Sequence, residues 1–151
     1  VVYVSATGAT IRHGGTMAYY NVSQDFVQMP AFEAFRDAES YYATLAHECT
    51  HWTRHSSRLD RESGRKRFGD EGSAMEELVA EFGSAFLSAD LDLTPEPRED
   101  HASYIASWLK VLKDDKRFVF SAASQAQRAA DFLHSLQPGQ QSGVVEKERA
   151  A

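Results

Sequence analysis

The spacing of apolar and polar positions changes character near Pro30 in this 151-residue chain. Upstream, short β-like runs alternate with turn formers. Ala9 to His13 and Thr16 to Tyr20 flank Gly14-Gly15, a hairpin signal, and Asn21 to Asp25 is rich in turn residues. Phe26 to Met29 is a third short run that stops at Pro30. The pattern predicts a small antiparallel meander whose last strand, Phe26 to Met29, is open at an edge. Downstream the period lengthens to that of helices. Phe32-Glu33-Ala34-Phe35 makes one turn, and Asp37 or Ser40 can cap a helix running to about Thr53. Arg54 to Asp70 is polar and punctuated by glycine, which predicts a loop. Ser73 to Ala89 is a second helix, with Leu78, Phe82, Ala85, Phe86 and Ala89 at helical spacing. Asp100 to Leu112 predicts a third on Ile105, Trp108, Leu109 and Leu112. Ser121 to Leu136 predicts a fourth, closed by Pro138-Gly139. From Gln137 onward Gln, Gly and charge predict a flexible tail or linker, so residues 1–136 form one α+β domain and 137–151 follow it.

The first of these helices carries His47-Glu48-Cys49-Thr50-His51, an H-E-x-x-H pentapeptide. Helical residues four apart stack on one face, so His47 and His51 can offer both imidazoles to one ion. Glu48 stands beside that ion and can take a proton from a water held there. The surrounding Tyr41, Tyr42, Leu45, Ala46, Cys49 and Trp52 are too apolar for a solvated helix. Two histidines and a carboxylate in such surroundings need partners, and a metal supplies them.

A catalytic zinc holds three protein ligands and leaves a fourth position for water. A third histidine six residues after His51 is absent, since position 57 is Ser57. His55 would lie about 12 Å along a straight helix from His47, too far to share the ion. The second helix offers a better source in Glu77 and Glu81, which lie four apart on one flank. One of them can ligate while the other orients a histidine from behind. Glu77 as ligand and Glu81 as support is the preferred assignment, with an exchange of those roles open. Glu76 is expected to point away and to serve only the helix dipole.

Composition narrows the setting. The chain is 42% apolar and 25% charged, the balance of a globular protein. No apolar run approaches the roughly 18 residues of a membrane span. Cys49 is the only cysteine, which excludes an internal disulfide and favours a reducing, cytoplasmic setting. Cys49 itself is expected to be a small packing residue. The net charge of −6 argues against wholesale coating of nucleic acid. A start at Val1 rather than Met leads to the expectation of a fragment or processed piece.

The run from Tyr41 to Thr53 resembles the zincin-like metallopeptidase domain of ArdC-type antirestriction proteins and TraC-type plasmid primases. Ser57-Arg58-Leu59, Glu76-Glu77-Leu78-Val79-Ala80-Glu81, and the stretch from His101 to Asp131 with Ser107-Trp108-Leu109-Lys110 carry the likeness further. The resemblance spans about Ala18 to Leu133. It implies a zincin fold with a small sheet, an active-site helix, and a glutamate helix packed across it. It also implies an association with mobile elements and with protection of entering DNA, and a preceding single-stranded-DNA-binding domain. One departure is Arg54, where the pattern leads one to expect glycine at the exit of the active helix.

The resulting expectation is a Zn2+-dependent peptidase with ligands His47, His51 and Glu77, support from Glu81, and Glu48 as general base. His101, Tyr104 and His13 are candidate donors to the oxyanion of the transition state. A peptide substrate is expected to pair with the sheet edge at Phe26 to Met29. The rival expectation is a zinc-containing module that acts by binding single-stranded DNA, without proteolysis. Its candidate phosphate contacts are Arg54, Arg58, Arg61, Arg65, Lys66 and Arg67, interrupted by Asp60 and Glu62. His134, near the end of the fourth helix, is expected to make only a favourable dipole contact.

Overall fold

Strands β1 (Ile11–His13), β2 (Tyr19–Asn21) and β3 (Phe26–Met29) form one sheet in the order β1-β3-β2. The computed structural model describes residues 2–61, 71–94, 113 and 116–139. β3 pairs parallel with β1, Ile11 opposite Val27, and antiparallel with β2, Tyr20 opposite Val27. The expected hairpin at Gly14-Gly15 therefore does not form, and the sheet is mixed rather than an antiparallel meander. The expected edge strand is the central one. The reason is burial: Phe26, Val27 and Met29 are almost wholly enclosed, whereas β1 and β2 are half-buried or exposed. A central position covers the most apolar strand on both sides. Gly14 and Gly15 adopt φ of +141° and +68°, and the Gly14 N–H donates to the Met29 carbonyl (2.9 Å), steering the chain past β3 instead of back along β1. The true hairpin joins β2 to β3 through the expected turn. Asn21 Oδ1 accepts from the Gln24 N–H (2.9 Å), the local bond that makes Asn a turn former.

Four α-helices are described: α1 (Val2–Thr7), α2 (Ala38–Trp52), α3 (Glu71–Asp90) and α4 (Lys116–Ser135). The α1 helix departs from the β-like pattern of the residues before Pro30. The expected helix over Asp100 to Leu112 lies outside the described residues. A short 3-10 turn, Phe32–Ala34, precedes α2. Asp37 caps α2, its Oδ1 accepting from the Ser40 N–H at 2.7 Å. Tyr41, Leu45, Cys49 and Trp52 then recur along the α2 face that joins Val27, Met29, Leu87, Ala130 and Leu133 in the main core. Cys49 is a packing residue, and burial pushes its thiol up to about 12. His134 does more than meet a dipole: its Nδ1 pairs with the Tyr3 hydroxyl and its Nε2 with Asp90 Oδ2, both at 2.8 Å, tying α1, α4 and α3 together. Among the described residues no helix is long and apolar enough to cross a membrane.

The α2–α3 contact is unusually close at one point. A Cβ added to Gly83 would lie 2.5 Å from Oγ1 and Cγ2 of Thr50, which is fully buried on α2. One residue on, Ser84 Oγ donates to the Ala43 carbonyl of α2 (2.8 Å). Small residues Ala80, Gly83 and Ser84, with Leu87, make this face of α3. The larger Leu78, Phe82 and Phe86 cluster with Phe118, Ala122 and Ala126 of α4, while Ala85 and Ala89 of the expected apolar stripe are exposed.

After α2 the chain turns back on itself and two arginines fasten it. Arg58 stacks on the Trp52 ring (3.9 Å to the centroid), donates to the Trp52 carbonyl (2.7 Å), and grips both carboxylate oxygens of Asp25. It also donates to the Tyr20 hydroxyl (3.2 Å), which in turn donates to Asp25.

Two predictions follow from this packing. Gly83→Ala is expected to destabilise the protein by about 1–3 kcal/mol in urea unfolding, although alanine inside a helix ordinarily gains about 0.5–1 kcal/mol over glycine. A stabilised variant would contradict the close approach. The Arg58 guanidinium holds the Asp25 carboxyl below its ordinary range. The contribution to stability is therefore complete above an unfolded pKa near 4 and is lost as pH falls through the lower folded value. Asp25→Asn should flatten that acid limb in thermal unfolding, and an unchanged limb would remove Asp25 from the account.

Candidate metal centre

His47 and His51 lie one turn apart on α2, with ring centroids 4.9 Å apart and planes at 77°. Across from them α3 presents three carboxylates. The two oxygens of Glu77 each meet an imidazole: Oε2 is 3.7 Å from His47 Nε2, and Oε1 is 3.5 Å from His51 Nε2. One ligand atom from each of His47, His51 and Glu77 can be chosen so that all lie within 4.8 Å of one another. Tetrahedral bonds to zinc of about 2.1 Å set ligand atoms roughly 3.4 Å apart, so the donor set fits a divalent ion with little movement. The other nitrogen of each ring faces its own carboxylate, Glu81 Oε1 at 3.4 Å from His47 Nδ1 and Glu76 Oε1 at 3.1 Å from His51 Nδ1. Such pairs present Nε2 to an ion and fix the ring plane.

The charges follow from this arrangement. Burial alone would lower the His51 pKa, but hydrogen bonds with Glu76 and Glu77 outweigh it and raise the pKa to about 9. The His47 and His51 imidazoles hold Glu77 far below the usual carboxylate range. Burial acts against ionisation of Glu76, yet His51 and Arg61 together lower its pKa. Glu48 moves the opposite way: burial raises it, despite the attraction of His51 and His47. The Tyr20 backbone N–H on β2, near the carboxylate, acts weakly in the lowering direction.

The structure thus brings together His47, Glu48, His51, Glu77 and Glu81, all singled out in the sequence. It corrects the reading of Glu76, which is 5% exposed and bound to His51 rather than pointing away. The error came from taking the large apolar residues of α3 as the face toward α2. Counting back four from Ala80 and seven from Gly83, along the small-residue face, reaches Glu76 and would have found it.

Other candidates fall elsewhere. His13 hydrogen-bonds to the Tyr41 hydroxyl (2.8 Å) on β1, the edge opposite β2. His55 pairs with Ser57 Oγ (2.8 Å) beyond the end of α2. His101 and Tyr104 lie outside the described residues. Of the six cations considered for phosphate contact, Arg54 is buried, Arg58 is committed to Asp25, and Arg61 to Glu76. Arg65, Lys66 and Arg67 lie outside the described residues. The departure at Arg54 leaves the metal helix intact, since α2 ends at Trp52 and the Arg54 N–H donates to the His51 carbonyl (3.0 Å).

Comparison with known proteins agrees with this geometry. A family model described as zincin-like metallopeptidase matches residues 2–125. An uncharacterised protein of Sinorhizobium fredii, y4eC, is 51% identical over 144 residues, covering 95% of this chain and 46% of that protein. DNA primase TraC of Escherichia coli is 43% identical over 138 residues, 91% of this chain but 13% of the primase. The crystal structure of the antirestriction protein ArdC from plasmid R388, Mn(II)-bound, superposes with a TM-score of 0.79 at 48% identity, over 91% of this chain and 51% of that one. Its metal-free form gives 0.77 at 50% identity, over 89% and 48%. The chain spans about half, or much less, of the length of these relatives.

Proposed function

The chain belongs to the zincin-like metallopeptidase family, and from that premise we propose that it is a metal-dependent peptidase domain of an antirestriction protein from a mobile element. The observation that carries the proposal is the meeting of His47, His51 and Glu77 within ligand distance, with buried Glu48 beside them. His47 Nε2, His51 Nε2 and one Glu77 oxygen are the proposed ligands, while Glu81 and Glu76 orient the two rings. Zinc is the ion this donor set favours. The related ArdC structure contains Mn(II). A divalent ion held by these residues would lower the pKa of a bound water toward about 7 and polarise a carbonyl.

Glu48 does the proton work. Its raised pKa makes it a better base than a solvated carboxylate, so it can accept a proton from the attacking water and pass it to the leaving amine. A substrate strand would approach from the β2 side of the sheet, since β3 is enclosed by both neighbours.

The binding-only alternative is less well supported, because three of its six cations are already engaged or buried within the protein. Antirestriction and priming are activities of longer proteins. We extend antirestriction, contact with single-stranded DNA through a further domain, and a cytoplasmic location to this chain as parts of the same reading.

Two measurements test it. Glu48→Gln should retain metal, read by elemental analysis, and lose peptide cleavage by about 10²–10⁴-fold; undiminished cleavage would sink the mechanism. Glu77→Ala should abolish stoichiometric metal, whereas Glu81→Ala should weaken affinity by about 10–100-fold. The reverse ranking would exchange their roles.

A further inference from the structure

We propose that Arg61 is a positioning residue for the metal centre, acting through Glu76 on His51. The inference rests on His51 being a ligand. Arg61 grips both oxygens of Glu76, Nε to Oε2 at 3.0 Å and Nη2 to Oε1 at 2.9 Å. The Arg61, Glu76 and His51 side chains are 8%, 7% and 9% exposed. The guanidinium is anchored independently to the end of α2. Nη1 donates to Thr53 Oγ1 and Nη2 to the Thr50 carbonyl, each at 2.8 Å, on either side of His51 in sequence.

The consequence is geometric. Glu76 Oε1 is held by Arg61 at the point where it accepts from His51 Nδ1 at 3.1 Å. Glu76 is thereby restrained from swinging toward Glu77 and competing for the ion. The His51 ring is set with Nδ1 as donor and with the Nε2 lone pair directed at the ligand cluster. A planar fork holding a carboxylate at two points restricts rotation in a way a single ammonium contact does not. The corresponding pair at His47 is looser, 3.4 Å to Glu81, whose side chain is 21% exposed. Arg61 thus reaches the centre from a turn outside the H-E-x-x-H helix, with no contact to the ion.

The test is a double-mutant cycle read as Zn2+ affinity, by competition with a chromophoric chelator, on Arg61→Lys, Glu76→Gln and the pair, with His51→Ala as reference. Lysine keeps the charge and the stem, so folding is preserved while the two-point grip is lost. Each single variant should lower Zn2+ affinity by about 10–100-fold, and the double variant should be no weaker than the weaker single. A purely structural role for Arg61 would instead lower the apo-protein Tm and leave affinity unchanged. Unchanged affinity, or losses that add, would overturn the inference. Should His51→Ala bind Zn2+ as tightly as the wild type, the ligand assignment itself would fall.

Discussion

The close crossing of α2 and α3, where Gly83 admits the side chain of Thr50, is the constraint on which the centre depends. With any side chain at position 83 the helices would have to part or shift. The carboxylates of Glu76, Glu77 and Glu81 would then meet the two imidazoles at longer range. Ser84 reinforces the crossing by donating to the Ala43 carbonyl, so the approach is held by a hydrogen bond as well as by shape. The arrangement places four carboxylates, including Glu48, around two histidines. Such crowding of like charge is costly in a partly buried site unless cations offset it. Arg61 offsets Glu76, and a divalent ion would offset two of the three remaining charges.

The sheet contributes to the same centre from the other side. Because β3 occupies the middle, β2 is an outer strand, and its Tyr20 backbone lies near Glu48. The Tyr20 hydroxyl meanwhile joins the Arg58–Asp25 pair. The turn after α2 therefore fastens both sides of the site: Arg58 holds the strand that lies beside Glu48, and Arg61 holds the carboxylate bonded to His51. A segment that reads in sequence as a charged solvated loop is, over its described part, a clasp.

Much of the centre was legible because its spacing is local. Two histidines four apart must share a helical face, and a glutamate next to the first must flank it. Asp37 as a cap, the β2–β3 turn, and the existence of α2, α3 and α4 follow from the same short-range rules. Errors arose where two elements of similar local signal compete. Gly14-Gly15 reads as a hairpin, yet the relative burial of three strands decides which is central, and that comparison is not local. On α3 the large residues suggested the wrong face toward α2, because close helix crossings select small residues and large ones pack where there is room.

By itself the sequence determined the pentapeptide geometry, the family resemblance, and the pairing of a histidine helix with a glutamate helix. Only the tertiary structure decided the strand order, which oxygens face which ring nitrogens, and that Glu76 belongs to the site through Arg61. The physical reason is that helical period dictates which residues share a face. It does not dictate which face meets which neighbour, or at what distance. That choice is made by the fit of whole surfaces, here by the absence of a single Cβ at Gly83.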